Sequence, residues 1–310
     1  MQTRDGIGLA CKRIIGAVLV VFALPATTAL AGDLDDQRAL FKQVYATVER
    51  GDWSPVDALP PAERQLLENY VLWPDLRATW LRANLKTVAT SEVDAFLVRH
   101  GTLQPARDLR YRLSLHLAKT GDLDGFQRIY EQYYQGRGIA RLDCLSLQSD
   151  IDAGRLTRVT GRAVDLWLVG TSQVKECDPV FDYLSDNNLL GPVEYRKRFE
   201  LAIEAREFRM AKWLAKNIDQ QHIEIASRWI QAQEHPQRFL QRHNTALNSD
   251  AYRAQLTYAA ERLTYDDPEV ANRLWTKLEK RYGFSEEQKL RTRRHIALWT
   301  ARDNLAAGYY

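Results

Sequence analysis

Apolar residues recur at helical spacing along this chain, and short breakers interrupt them every few turns. Phe41, Val44, Tyr45 and Val48 stand at i, i+3, i+4 and i+7, which places their side chains on one face of a helix. Leu109, Leu113 and Leu117 repeat at every fourth position, with Arg110, Arg112 and Lys119 on other faces. Tyr252, Leu256, Ala259 and Leu263 form another stripe, and Ala271, Trp275, Leu278 and Tyr282 a fourth. Gly51-Asp52, Pro60-Pro61, Gly101, Gly121-Asp122, Gly154, Gly170, Gly191-Pro192 and Asp266-Asp267-Pro268 punctuate these runs. The segments between them are about 10–16 residues long, too short to bury much alone, so each must lean on its neighbours. The expectation is an all-α fold of degenerate helical repeats, a solenoid or ring in which each pair touches chiefly the next.

Two hairpins are legible. Pro105–Lys119 turns at Thr120-Gly121-Asp122 into Leu123–Gln132, and Pro192–Ala205 turns at Arg206-Glu207 into Phe208–Lys216. Ala202, Ala205, Ala211 and Ala215 permit close helix approach in the second. Val164, Leu166 and Leu168 alternate as in a strand, but Ala163, Leu166, Trp167 and Gly170 fit a helix ending at its glycine, and the helix is preferred. Glu234 to Asp250 reads as the one long polar loop, a candidate boundary between a first helical block and a later one.

Residues 1–31 have the form of an export signal. Lys12 and Arg13 flank an apolar run from Ile14 to Leu24, and Ala29-Leu30-Ala31 is a small-x-small cleavage site. The run falls short of the ~20 apolar residues of a membrane span; a retained anchor is the alternative reading. The whole chain carries 43 basic and 40 acidic residues. Its first 31 residues hold Arg4, Lys12 and Arg13 against Asp5, so the mature balance is near neutral. That gives no case for nucleic acid as a partner or for a general anionic surface. Cleavage also removes Cys11, leaving Cys144 and Cys177. In an oxidising compartment an isolated pair is most simply a disulfide, with two buried free thiols as the alternative.

Catalytic chemistry is not signalled. His100, His116, His222, His235, His243 and His295 lie outside any metal-binding spacing, and two thiols without nearby histidines do not complete a zinc shell. No phosphate-binding glycine loop and no nucleophile elbow occur. Glu204 with Glu207 and Glu286 with Glu287 read as solvated carboxylates, and nothing marks an acid for the apolar pocket that glycoside cleavage needs. No catalytic, cofactor-binding or metal-binding residue is therefore assigned. Lys289, Arg291, Arg293, Arg294 and His295 form a basic cluster, read as a solvated helix end complementing the dipole, with a grip on anionic wall polymer as the alternative. Trp53, Trp73, Trp80, Trp213, Trp229 and Trp299 read first as inter-helix core and second as platforms for sugar rings.

Several segments resemble one family. They are Leu34-Asp35-Asp36-Gln37-Arg38, Tyr70-Val71-Leu72-Trp73-Pro74-Asp75-Leu76, and Phe96 to His100 followed by Pro105 to Arg110, Leu117-Ala118 and Gly121-Asp122. Leu166 to Gly170 with Ser172-Gln173 precedes the second cysteine, and Val174 stands where proline is expected. In order and spacing this set resembles the soluble lytic murein transglycosylases over most of residues 33–216, weakening after about 235. The resemblance implies a periplasmic, U-shaped or ring-like α-superhelix, with residues 32–235 as the superhelical domain and 236–310 as its continuation. It implies a disulfide between Cys144 and Cys177. Members carry a C-terminal lysozyme-like domain that cleaves peptidoglycan, marked by a Glu-Ser pair, a Gly-Leu-Met-Gln turn and an Ala-Tyr-Asn-Ala-Gly segment. None of these occurs in the chain. The resemblance thus implies a scaffold that holds peptidoglycan glycan strands or a cell-wall enzyme, inactive by itself, without cofactor and without stable membrane insertion after signal cleavage. An active glycosidase or lyase with an unrecognised site, or a periplasmic repeat adaptor for proteins, are the alternatives.

Overall fold

A computed structural model describes residues 28–302. The expected signal sequence lies, except for its last few residues, outside that range, as does Cys11. Among the described residues there are seventeen α-helices and no strand. They divide into two compact units, the first ending at His116 and the second beginning at Leu117.

The first unit holds α1 (Thr28–Val48), α2 (Ser54–Asp57), α3 (Pro61–Glu68), α4 (Trp73–Ala83) and α5 (Thr90–His100). Pro55, Pro61 and Pro74 each sit at the start of a helix, where the missing N–H costs nothing and the fixed φ is already helical. The expected stripe of α1 turns inward: Val44 and Val48 are fully buried against Val56, Leu67 and Leu76. Gly51 takes φ +93°, and its carbonyl accepts from Asn84 Nδ2 at 2.9 Å, which ties the first turn to the end of α4. Trp53 lies 5.6 Å from Trp73 and 5.5 Å from Trp80, and the Arg77 guanidinium sits over Trp53 and Trp80. These three tryptophans are packing residues.

α6 (Gln104–Thr120) carries the buried Leu109, Leu113 and Leu117 across the division. The second unit continues with α7 (Leu123–Tyr133), α8 (Ala140–Asp152), α9 (Val159–Trp167), α10 (Asp178–Asp186), α11 (Pro192–Glu204) and α12 (Phe208–Ala215). It is completed by α13 (Gln220–Glu234), α14 (Pro236–Gln241), α15 (Asp250–Leu263), α16 (Pro268–Glu279) and α17 (Glu286–Arg302). Three-residue 3-10 turns stand at Leu156–Arg158, Lys175–Cys177 and Thr245–Leu247. Two breakers read from the sequence became caps: the Asp122 and Asp267 carboxylates, like that of Asp219, each accept the backbone N–H three residues on, at 2.9 Å. Packing within this unit is between near neighbours, α11 on α12, α12 on α13, α13 on α15, α15 on α16 and α16 on α17. That is the pattern of stacked helical repeats. Ala202, Ala211 and Ala215 are fully buried, and Arg206 turns the hairpin at φ +63°.

Three details differ from the sequence expectations. α9 ends at Trp167, three residues before Gly170, because the backbone at Gly170 is pressed onto α11. Tyr282 is buried but lies beyond the end of α16, packed against His243 and Tyr252. The stretch from Glu234 to Asp250 is no open loop: Pro236 and Leu240 bury α14, and Asn244 caps the following 3-10 turn.

Candidate functional site

The Cys177 segment is a structural hub. The Cys144 and Cys177 sulfurs are bonded at 1.98 Å, joining α8 to the 3-10 turn that leads into α10. Arg141 and Glu176 form an ion pair of 2.9 Å beside it. Upstream, Gln173 Nε2 donates to the Leu166 carbonyl at 3.0 Å. Arg198 reaches from α11, donating from Nε to the Val169 carbonyl at 3.2 Å and from Nη2 to the Thr171 carbonyl at 3.5 Å. Its guanidinium lies over Trp167 and Phe181, and burial pushes its pKa down to about 10. Val174 has φ −69° and ψ 154°, the angles that a proline holds, so the departure from the expected residue keeps the backbone path.

Beside this hub opens a groove of about 580 Å³ between α10, α11 and α12. Trp167 and Tyr195, edge to face at 5.2 Å, and Phe181 contribute aromatic surface. Trp213 stands at the rim with 52% of its surface exposed. Asp178, Asp182 and Glu207 supply acceptors, while Ser185 and Gln173 supply neutral hydrogen-bonding groups. Polar groups interleaved with aromatic faces suit a neutral, hydroxyl-rich ligand, whose rings lie on the π surfaces while its hydroxyls pair at the edges. The sequence pointed to the hub and named Trp167, Ser172, Gln173, Glu207 and Trp213, but as helix, turn, solvated and packing residues rather than as one groove. Tyr195 and Asp182 carried no signal, because the groove forms only when three helices pack.

The other singled-out residues are placed elsewhere. The basic cluster Lys289 to His295 occupies the first half of α17 rather than a helix end. Three of its cations are paired locally: Lys289 with Glu286, Arg291 with Glu261 through two contacts of 2.8 and 3.2 Å, and Arg293 with Glu279. Trp229 stacks on Phe208 at 4.9 Å, and Trp299 meets Tyr265 at 4.5 Å. His222 bonds Asp219 at a helix cap, and His243 bonds the Tyr282 hydroxyl at 2.9 Å. Among the described residues no three His, Cys, Asp or Glu side chains are grouped to hold a metal, and no helix is long and apolar enough to cross a membrane.

No protein-family profile matches the chain. Over 278 residues, 90% of its length, it is 25% identical to a soluble lytic murein transglycosylase of Escherichia coli strain K12. Over 276 residues it is 25% identical to that of Salmonella typhimurium. Matches of this length extend past residue 235, further than the recognisable segments did. Among solved structures, a lytic transglycosylase Slt of Pseudomonas aeruginosa, determined as an inactive mutant, gives a TM-score of 0.56 at 28% identity over 85% of the chain. The 70 kDa soluble lytic transglycosylase of Escherichia coli gives 0.61 at 21% identity over 89%, a likeness of fold. The chain spans less than half the length of these proteins, 42% of each of the first three and 44% of the last. The likeness runs along nine-tenths of the sequence, and the chain is a relative of the soluble lytic murein transglycosylases.

Proposed function

We propose that this chain is exported, loses residues 1–31, and works in the periplasm as a holding module for peptidoglycan. Residues 32–235 form the superhelical part and residues 236–310 its continuation. The glycan strand lies in the groove beside the Cys177 hub, with Trp213 as the outer platform and Tyr195 as the inner one. The observation that carries this reading is the half-exposed Trp213 at the mouth of a groove that mixes aromatic faces with hydrogen-bonding groups. The kinship with murein-cleaving enzymes supports the choice of polymer. Holding is the role assigned to this helical part, whose residues include no Glu-Ser pair and no Gly-Leu-Met-Gln turn.

Co-sedimentation of the chain with insoluble sacculi tests the binding. Retention that drops on Trp213→Ala supports the groove; retention that is absent, or equal in the variant, removes it. Release of anhydro-muropeptides from the same sacculi would refute the non-catalytic part. Loss of sacculus binding with capture of a cell-wall enzyme would move the module to the protein-adaptor class.

A further inference from the structure

The second unit has another cavity, of about 350 Å³, at the corner where α13 gives way to α14. Its wall is strongly basic. Arg228 lies on α13, Arg238 on α14, and His235 and Arg242 at the two ends of α14, so four cationic or titratable side chains border one space. No carboxylate lines it. Elsewhere in the unit Arg209, Arg253, Arg262, Arg273, Arg291 and Arg293 pair with acids. Arg228 has only a long 4.0 Å contact to Glu224, and its Nε is buried without a hydrogen-bond partner. Asn244 uses its side-chain oxygen on the Ala246 N–H, which leaves its amide hydrogens to donate. Phe239 and Tyr252 close the space with aromatic walls.

We infer that this corner is a binding site for an anionic group, a carboxylate or a phosphate carried on a compact organic body. An unmet buried guanidinium N–H is costly, and a fork of arginines matches the paired oxygens of these anions. Arg228 supplies an inner cation, Arg238 and Arg242 the outer clamp, and Asn244 a neutral donor. The site is separate from the glycan groove in its lining and in the charge it selects, so it stands or falls independently of that reading.

Calorimetric titration of the whole chain with inorganic phosphate and, separately, with glutarate tests it. At low ionic strength one or both bind at a single site, and affinity falls as salt rises. Arg238→Gln combined with Arg242→Gln weakens binding at least ~tenfold, while melting and helical circular dichroism stay unchanged because both side chains are exposed. Arg262→Gln combined with Arg273→Gln, outside the cavity, leaves binding intact. Phosphate alone assigns an ester ligand, and glutarate alone assigns a carboxylate. No saturable binding of either below ~10 mM, or equal losses in the two double variants, overturns the inference.

Discussion

Arg198 lies over Trp167, its guanidinium carbon 4.5 Å from the indole centroid, while Nε and Nη2 hold the carbonyls of Val169 and Thr171. One side chain therefore joins α11 to the turn that carries the chain toward Cys177. Lysine keeps the charge but loses the planar fork. Arg198→Lys is expected to lower stability by about 1.5–3 kcal/mol, measured by urea unfolding, and to weaken sacculus binding by loosening the groove wall.

Gly170 and Gly161 separate close packing from mere flexibility. A Cβ at Gly170 would stand 2.9 Å from the Leu201 carbonyl carbon and 3.0 Å from the Ala205 Cβ. Gly161, inside α9, has nothing within 4 Å of that position. Gly170→Ala should destabilise by about 1–3 kcal/mol through overpacking, and Gly161→Ala should stabilise by about 0.5–1 kcal/mol. Thermal melts of the two variants are expected to move in opposite directions.

The sequence separation of 33 between the bonded cysteines sets the size of the constraint their bond places on the unfolded chain. Loop-closure entropy puts its worth at about 3–4 kcal/mol. Reduction, or Cys144→Ala with Cys177→Ala, should lower the urea midpoint and steepen the slope, since the freed unfolded chain exposes more surface.

Tyr130 donates its hydroxyl proton to Asp143 at 2.7 Å and accepts from Arg162 at 3.0 Å. Desolvation, reinforced by Asp143, pushes its pKa from 10.0 up to about 12. Between those values the unfolded phenol gives up its proton and the folded one keeps it. The stabilisation is thus complete below pH 10 and drains away as pH rises toward 12. Tyr282, also raised to about 12 by burial, acts in the same sense. Tyr130→Phe should therefore show a shallower fall in unfolding free energy above pH 10 than the parent chain.

Much of the fold was legible because helices advertise themselves locally. The stripes of α1, α6 and α15, and the caps at Asp122 and Asp267, depend on residues within one or two turns, and each is where the sequence put it. Legibility failed where tertiary contact decides. The run from Glu234 to Asp250 looks polar, yet Pro236 and Leu240 suffice to seat a helix that its neighbours cover. The charge of α17 suggested an open cationic end, but Glu261 and Glu279, distant in sequence, pair with two of its arginines. The groove needed α10, α11 and α12 together, and in the sequence Trp167 and Trp213 read first as helix and packing residues.

The covalent link between α8 and the segment entering α10 also has a meaning for biogenesis. A ribosome-fresh polypeptide holding two thiols has its groove-bordering segment tethered only by non-covalent contacts until an electron acceptor removes the hydrogens. Assembly of the groove is thereby subordinated to the thiol-oxidising machinery of whatever compartment receives the protein, and a copy stranded among reductants would fold its coils yet keep that wall loose.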